Sequence, residues 1–526
     1  MGLTIDDVFE EIGSMGRYQY TLVMVMGLMK MFGYAFQAMI STFLSAEPPW
    51  RCKDNSTVCN LTGIFKPGDD NYDFRCSISR HDWEFDTSKF NSVVSEWDLV
   101  CDVSALSSLT RSVLFLGFLI GVLLGGFLSD KFGRRLLVYI PCSMCNVLAL
   151  LASFVHVYWL YVLLRVLVGV FVGCGTLCAY VLTVEFVGKR HRHAAGTALW
   201  FFWPTSLMMM ALLAYLIRDW RTLNIVGAAP GLLQIFLWWY IPESSRWLLV
   251  KGRAKEASEQ LLKVAKVNKK EIPLDKLTLV DENPTQQRLG DIRDLFSTST
   301  MVTRTLISWF IWFVVTMVYY GVSFSAGAFG GNRYLVFFLT SLIEIPSNYT
   351  AIVACKKIGR KKTTIIGLII SSIASAVAVL FQRDLSNTGF LVARIIFASV
   401  IAKFFINMAF ATIYVFSTEL FPTVVRNIGM GVSSASARIG SMSAPYIVWL
   451  VRFHVLLPYS IVAVLAFLCS VLCFLLPETR DAATLENIDS VNSSAIEMRE
   501  KEPVSPEPNE EKEELGELLL KGDQPA

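Results

Sequence analysis

Charge is scarce in this chain. Of its 526 residues, 17% are Asp, Glu, Lys or Arg, against about 25% in an ordinary soluble protein. That sets aside a water-soluble globule. Histidine is scarcer still: His81, His156, His191, His193 and His454 show no metal-ligand spacing. No nucleophile motif or phosphate-binding loop occurs either. We therefore expect no enzyme, no metal and no cofactor. The net charge of +3 is spread over short loops and gives no ground for nucleic-acid binding. No apolar stretch carries the repeated small polar or acidic rings that a channel pore needs.

What is present is apolar. The chain is 54% hydrophobic, with a mean hydropathy of +0.49. A bilayer span needs about 20 apolar residues. Such runs fall at 20–44, 107–128, 136–155, 158–181, 196–217, 222–241, 303–324, 334–354, 363–381, 390–415, 428–451 and 457–476. The first run is preceded by Asp6, Asp7, Glu10 and Glu11, an acidic flank that reads as a retained helix rather than a cleaved signal. Lys131, Arg134 and Arg135, then Lys189, Arg190 and Arg192, then Lys356, Lys357, Arg360, Lys361 and Lys362 all fall on one side. The positive-inside rule makes that side cytoplasmic, together with both termini.

The loop at 45–106 then lies outside. It holds Cys52, Cys59, Cys76 and Cys101, disulfide candidates in a compartment that permits pairing, with three possible connectivities. Its Asn55 and Asn60 stand in glycosylation sequons. On the inner side, residues 249–268 suggest a surface helix after Gly252 that packs through Leu261, Leu262 and Val264. The polar, acidic tail from about 480 reads as disordered.

The chain also repeats itself. Asp130-Lys-Phe-Gly-Arg-Arg135 is echoed by Lys357-Ile-Gly-Arg-Lys-Lys362. Glu185 with Arg192 is echoed by Glu419 with Arg426, and Pro242-Glu-Ser244 by Pro477-Glu-Thr479. The offset of roughly 230 residues suits a six-helix unit of about 20 residues per span plus loops. Duplicated halves around a midplane site mark a class of transporters.

These motifs, with Ser95-Glu-Trp-Asp-Leu-Val-Cys101, Pro242-Glu-Ser-Ser-Arg-Trp-Leu248 and Glu419-Leu-Phe-Pro-Thr-Val-Val-Arg426, resemble the organic cation, carnitine and organic anion carriers (solute carrier family 22) of the major facilitator superfamily. The resemblance covers residues 1–480 and is closest to the zwitterion and cation branches, through Phe310-Ile-Trp-Phe313, Tyr319-Tyr-Gly321 and Ile343-Glu-Ile-Pro-Ser347. It implies an all-α membrane protein with twelve transmembrane helices in two six-helix pseudo-repeats, the major facilitator fold. The division is a cytoplasmic N-terminus 1–19, a bundle 20–241 containing the outer loop, a linker 242–302, a bundle 303–476 and a tail 477–526. Lys356 stands where the first copy has Asp130, so a charge latch would be asymmetric.

Gating candidates are Asp130, Arg134, Arg135, Glu185 and Arg192 in the first half, and Glu419 and Arg426 in the second. Insertion alone requires basic residues there but no acid at a fixed spacing. Ionisable residues within spans are costly and face a cavity or one another; these are Lys30, Arg165, Glu344, Arg394, Lys403 and Arg438. Arg165 and Arg394 suit interhelical hydrogen bonding. Glu344, Lys403 and Arg438 are candidate substrate residues, and Gln37 is a polar candidate seven residues past Lys30. A dry Glu344 pair with Lys403 or Arg438 that only locks helices is the structural alternative. The resemblance implies that Arg438 faces the central cavity and bears on charge preference. Tyr180, Trp200, Trp203, Trp312, Tyr319, Tyr320, Phe410 and Tyr414 offer ring faces for an ammonium, worth about 0.5–2 kcal/mol each, or plain packing.

The expectation is a monomeric plasma-membrane carrier of small organic zwitterions or cations, carnitine- or betaine-like, working by alternating access in the lipid bilayer. Sodium coupling stays open. The alternatives are an organic anion exchanger using Arg438 and Lys403, and a membrane receptor with a glycosylated outer loop.

Overall fold

The computed structural model describes residues 5–67, 69, 71–270, 291–325, 331–381, 388–454 and 456–480. The tail from about 480 lies outside the described residues. Twelve helical spans are present among them. Ten are long and apolar enough to cross a membrane: Arg17–Leu44, Cys101–Phe132, Arg134–Ala152, Tyr158–Glu185, Lys189–Leu216, Trp220–Trp239, Ser299–Phe324, Arg333–Lys357, Arg360–Leu380 and Thr388–Leu420. The eleventh, Arg426–Trp449, is rich in Ser and Gly and carries Arg438. The twelfth, Leu457–Cys473, is shorter. We number the spans in this order.

Several spans outrun their apolar stretch. The second continues to Phe132 and the fourth to Glu185, so Asp130 and Glu185 sit on helices rather than in the expected loops. A helix satisfies its own backbone, and nothing forces it to stop at the hydrocarbon boundary. Two spans widen locally into π-helical turns, at Lys30–Ala35 and Ile395–Ile401, a distortion that often accompanies functional sites. The eighth span breaks at Ile343, between Arg333–Leu342 and Glu344–Lys357.

Within the first half, spans two and four cross at backbone contact. A Cβ on Gly117 or Gly121 would strike the carbonyl oxygen of Val166 or Val170. One on Gly169 or Gly173 would strike that of Leu114 or Phe118. Small residues four apart on both helices let the backbones approach where lipid supplies no hydrophobic drive. Across the halves, span two runs along span eleven and span five along span eight.

The loop after span one is a folded cap. Trp50–Cys52 pairs antiparallel with Trp83–Phe85, and Cys52–Cys59 and Cys76–Cys101 close two disulfides. Asn55 and Asn60 are exposed. The inner surface helix is Ala254–Val267, with Leu261 and Val264 buried and Leu262 half-buried.

The crossing of spans two and four yields a paired prediction. Gly121→Leu forces side-chain atoms into a backbone and should cost about 1–3 kcal/mol or more, whereas Gly126, on the same helix, has open space. Fluorescence-detected gel filtration should show a severalfold loss of monodisperse protein for Gly121→Leu and wild-type behaviour for Gly126→Leu. Equal behaviour of the two would contradict the crossing.

Candidate functional site

At mid-depth the second half buries an ion pair. Glu344 and Lys403 are each 1% exposed and lie 3.1 Å apart. The Tyr319 hydroxyl donates to Glu344 Oε1 at 2.8 Å. Lys403 also donates to the Ser323 hydroxyl at 2.5 Å and to the Tyr319 carbonyl at 3.2 Å. Trp203, from the first half, donates its indole N–H to the Tyr319 hydroxyl at 2.8 Å. A chain of donors thus runs from span five to the buried carboxylate. Glu344 is matched in charge and lies deep in the helix packing, so it is not a free acid awaiting an ammonium. Of the two partners left open by the sequence, the structure selects Lys403, which leaves Arg438 apart.

Arg438 is 8% exposed. Its guanidinium lies over the Phe118 ring of the first half, 4.0 Å from the centroid, beside the hydroxyls of Tyr320 and Tyr414. Its Nε has no hydrogen-bond partner, and no acid pairs with it among the described residues. Lys30, which likewise has no acid partner among the described residues, lies 4.5 Å over the Trp200 ring at the start of the first π-helical turn.

The aromatic candidates form one connected cluster. Trp200 meets Tyr414 at 5.0 Å and Phe410 at 6.3 Å. Trp312 meets Tyr414 at 4.5 Å, and its indole donates to Ser417 at 2.9 Å. Tyr319 stacks on Phe410 at 5.4 Å and abuts Tyr320 at 5.1 Å. Trp312, Tyr319 and Tyr320 are buried, whereas Trp200, Trp203 and Tyr414 keep partial exposure. Tyr180 is 44% exposed and stands at the margin. Gln37 lies elsewhere: its carbonyl accepts from Arg165 at 3.1 Å, and its buried amide has no partner among the described residues.

The basic end holds two charge clusters, each within one half. Arg134 bonds Asp130 at 2.9 Å and approaches Glu185 at 3.5 Å. Arg135 and Arg192 do not join them. Arg135 turns to the Trp238 ring and carbonyl, and Arg192 pairs with Asp6, which also holds Lys189 and Arg246. In the second half Glu419 pairs with Arg360 at 2.9 Å and accepts from Thr479 at 2.6 Å. Arg426 instead reaches the Phe421 carbonyl and the Thr423 hydroxyl. Helix rotation decides these partners, and spacing along the chain does not encode it.

Three buried or half-buried acids that organise the basic end are not picked out by the sequence reading. In the sequence Asp6 stands only as part of an acidic flank. Glu243 and Glu478 lie in the repeated Pro-Glu motif, and that repeat was the available signal. Glu243 accepts the backbone N–H groups of Arg134 and Arg135, and Glu478 those of Arg360, Lys361 and Lys362. The carboxylates thereby cap the N-termini of spans three and nine, where unpaired N–H groups favour an anion. Gly133 and Gly359 precede those caps at φ 99° and 107°, a backbone that L side chains rarely adopt, which explains why glycine recurs in both copies.

Contacts between the halves lie at mid-depth or at the loop end among the described residues. Ser108 and Ser112 donate to the Pro445 and Met442 carbonyls at 3.2 and 2.7 Å. Trp449 donates to Ser104 at 3.2 Å, Arg452 pairs with Glu47 at 2.8 Å, and Phe43 meets Tyr334 and Phe337. No hydrogen bond, ion pair or ring contact joins described residues of the two halves at the basic end. The loop end is therefore the sealed one.

Residues 20–491 match the sugar (and other) transporter family. An organic cation transporter protein of Drosophila melanogaster is 33% identical over 520 residues, covering 92% of this chain and 94% of that protein. Organic cation/carnitine transporter 2 of Mus musculus is 34% identical over 414 residues, covering 78% and 73%. Among solved structures, the proton:xylose symporter XylE, a major facilitator superfamily protein, superposes with a TM-score of 0.60 at 18% identity, over 90% of this chain and 99% of that one.

The Glu478 cap has a pH signature. Burial pushes its carboxyl up, but the backbone N–H groups of Lys361, Lys362, Arg360 and Arg480 outweigh it and hold the carboxyl below the usual range. A lowered folded value means the cap stabilises fully above the unfolded value, about 4.3, and is lost as pH falls through the folded one. Glu478→Gln should lower the thermal midpoint of the purified protein at pH 7, and the deficit should vanish under strong acid. A deficit independent of pH would contradict the cap.

Proposed function

The chain belongs to the sugar (and other) transporter family, with the organic cation and carnitine carriers of solute carrier family 22, and on that premise we propose that it moves small carboxylate-bearing solutes across the plasma membrane by alternating access. The observation that carries this reading is Arg438: a guanidinium that no acid pairs with among the described residues, while the candidate acid Glu344 is already neutralised by Lys403. A guanidinium takes a carboxylate bidentately. Betaine- and carnitine-like zwitterions fit first. Their carboxylate meets Arg438, and their ammonium meets the half-exposed ring faces of Trp200 and Tyr414, for which cation–π attraction needs no acid. The carnitine carrier among the relatives supports this order.

Lys30 favours a second reading, an organic anion carrier. It supplies a free cation beside the same rings, whereas Lys403 is engaged. With the basic end cytoplasmic, the sealed loop end makes this an inward-facing state. In the opposite state the basic ends close on each other, and the Asp130–Arg134–Glu185 and Arg360–Glu419 clusters keep those ends in shape to meet.

Labelled carnitine, tetraethylammonium and glutarate, offered to cells expressing the protein, test the substrate reading. Arg438→Ala should cut carnitine uptake by about 1.5–3 kcal/mol, roughly tenfold to a hundredfold in kcat/KM. Arg438→Asp should move preference toward tetraethylammonium. Unchanged selectivity in both would remove Arg438 from the site. Glutarate uptake above carnitine, lost in Lys30→Gln, would establish the second reading. Separately, Asp130→Ala and Glu419→Ala should lower turnover severalfold with surface expression retained; wild-type rates in both would refute the role of the clusters.

A further inference from the structure

A polar hollow lies at the sealed loop end, and neither Arg438 nor Glu344 lines it. It is a recess of about 150 Å³ walled by both halves: Phe43, Glu47 and Arg111 from one side, Arg333, Trp449 and Arg452 from the other. Its charge is lopsided. Glu47 is the sole acid lining it among the described residues, and that carboxylate is shared between Arg452 and Arg75. Arg75 is 1% exposed, held against the Tyr72 ring at 4.0 Å.

Two further guanidiniums are left without an acid of their own. Arg111 donates one N–H to the Ser45 carbonyl at 2.6 Å, and its buried Nε has no partner. Arg333 rests on the Phe90 ring at 4.2 Å, with no hydrogen bond or ion pair to a described residue. Both line the same recess, and the Glu47 carboxylate, already shared between Arg452 and Arg75, also acts on Arg111 more strongly than Arg333 does. Like charges brought together in a partly desolvated hollow repel. They belong to different halves, Arg111 to span two and Arg333 to span eight, so the repulsion that the shared Glu47 leaves uncompensated works to part the halves where they meet.

We infer that this recess is an anion site, which takes a small monoanion, a carboxylate or halide, between Arg111 and Arg333. The anion offsets the repulsion, accepts the unpaired N–H donors and bridges the two halves, so its occupancy favours the state closed at the loop end. Two guanidinium forks facing one hollow suit an oxyanion of a few atoms. Its source is either the carboxylate of the arriving solute or a free anion of the medium.

The test uses purified full-length protein in detergent, with sodium acetate replacing the bulky morpholine sulfonate MES at constant ionic strength. Thermal unfolding should shift upward with acetate and saturate, because a ligand that binds only the folded state stabilises it by mass action. Arg333→Gln and Arg111→Gln should each abolish the shift while keeping a monodisperse gel-filtration profile; two variants guard against the misfolding of one. Arg438→Ala should retain it. No acetate shift in the wild type, or a shift that persists in both Arg333→Gln and Arg111→Gln, would overturn the site. Loss of the shift in Arg438→Ala would move the anion to the central cavity and overturn it equally. Chloride in place of acetate, and competition by external acetate against uptake, then separate the sources. Competition lost in Arg333→Gln assigns the site to the solute's carboxylate; a stability shift without competition assigns it to a free anion.

Discussion

In hydrocarbon a carboxylate persists as an anion only beside its counter-charge, and Glu344 finds that partner in Lys403, 3.1 Å away, with the Tyr319 hydroxyl on the same oxygen. The rest of the centre follows from this pairing. It consumes the acid that would otherwise receive an ammonium, and it consumes one of the cations that would otherwise receive a carboxylate. What stays without an acid partner among the described residues is Arg438 and Lys30, each laid over an aromatic ring. Breaking such a buried pair by removing one partner leaves an uncompensated charge. The pair therefore also fixes how spans seven, eight and ten stand around the site, and Trp203 ties that arrangement to span five of the opposite half.

In the duplicated architecture this centre lies between the two halves, as the proposed alternating access requires. Each half caps the N-terminus of its third helix with a glutamate from the motif that closes its sixth, Glu243 in one and Glu478 in the other. The acid of the cap and the glycine of the turn are the same in both copies, because both answer one geometric need. The charge pairs around them differ: Arg134 has Asp130 one helical turn back, whereas Arg360 has Lys356 at that place and turns to Glu419. The asymmetry foreseen from Lys356 is thus present in the contacts. At the opposite end the seal consists of serine-to-carbonyl bonds, stacked rings and one shared acid, Glu47. Such contacts are individually modest and separable, as a rocking carrier requires.

Much of the fold was legible because length and hydropathy encode it directly: an apolar run of bilayer length is a span whatever it packs against. The repeat and the motifs then led to the family. Partner choice was less legible. Nothing in the spacing of Glu344, Lys403 and Arg438 says which cation turns toward the acid, since that depends on the rotation of spans ten and eleven. Arg192 lies seven residues past Glu185, yet its acid is Asp6, at the far end of the half. Arg426 stands at the matching place after Glu419 and bonds its own turn instead. Gln37 shares a helix with Lys30, but the first-half interior holds it beside Arg165. The disulfide pairing was one of three until the loop's fold brought Cys52 to Cys59 and Cys76 to Cys101.

We propose that the solute is recognised by its negative group, through a guanidinium that no acid pairs with among the described residues. Glycine betaine and its methyl ester isolate that claim, since they share the quaternary ammonium and differ in the carboxylate. The direct measurement is saturable uptake of each by cells expressing the protein. Recognition through the carboxylate gives efficient transport of the betaine and little of the ester. Equal transport of the two, or preference for the ester, would contradict it.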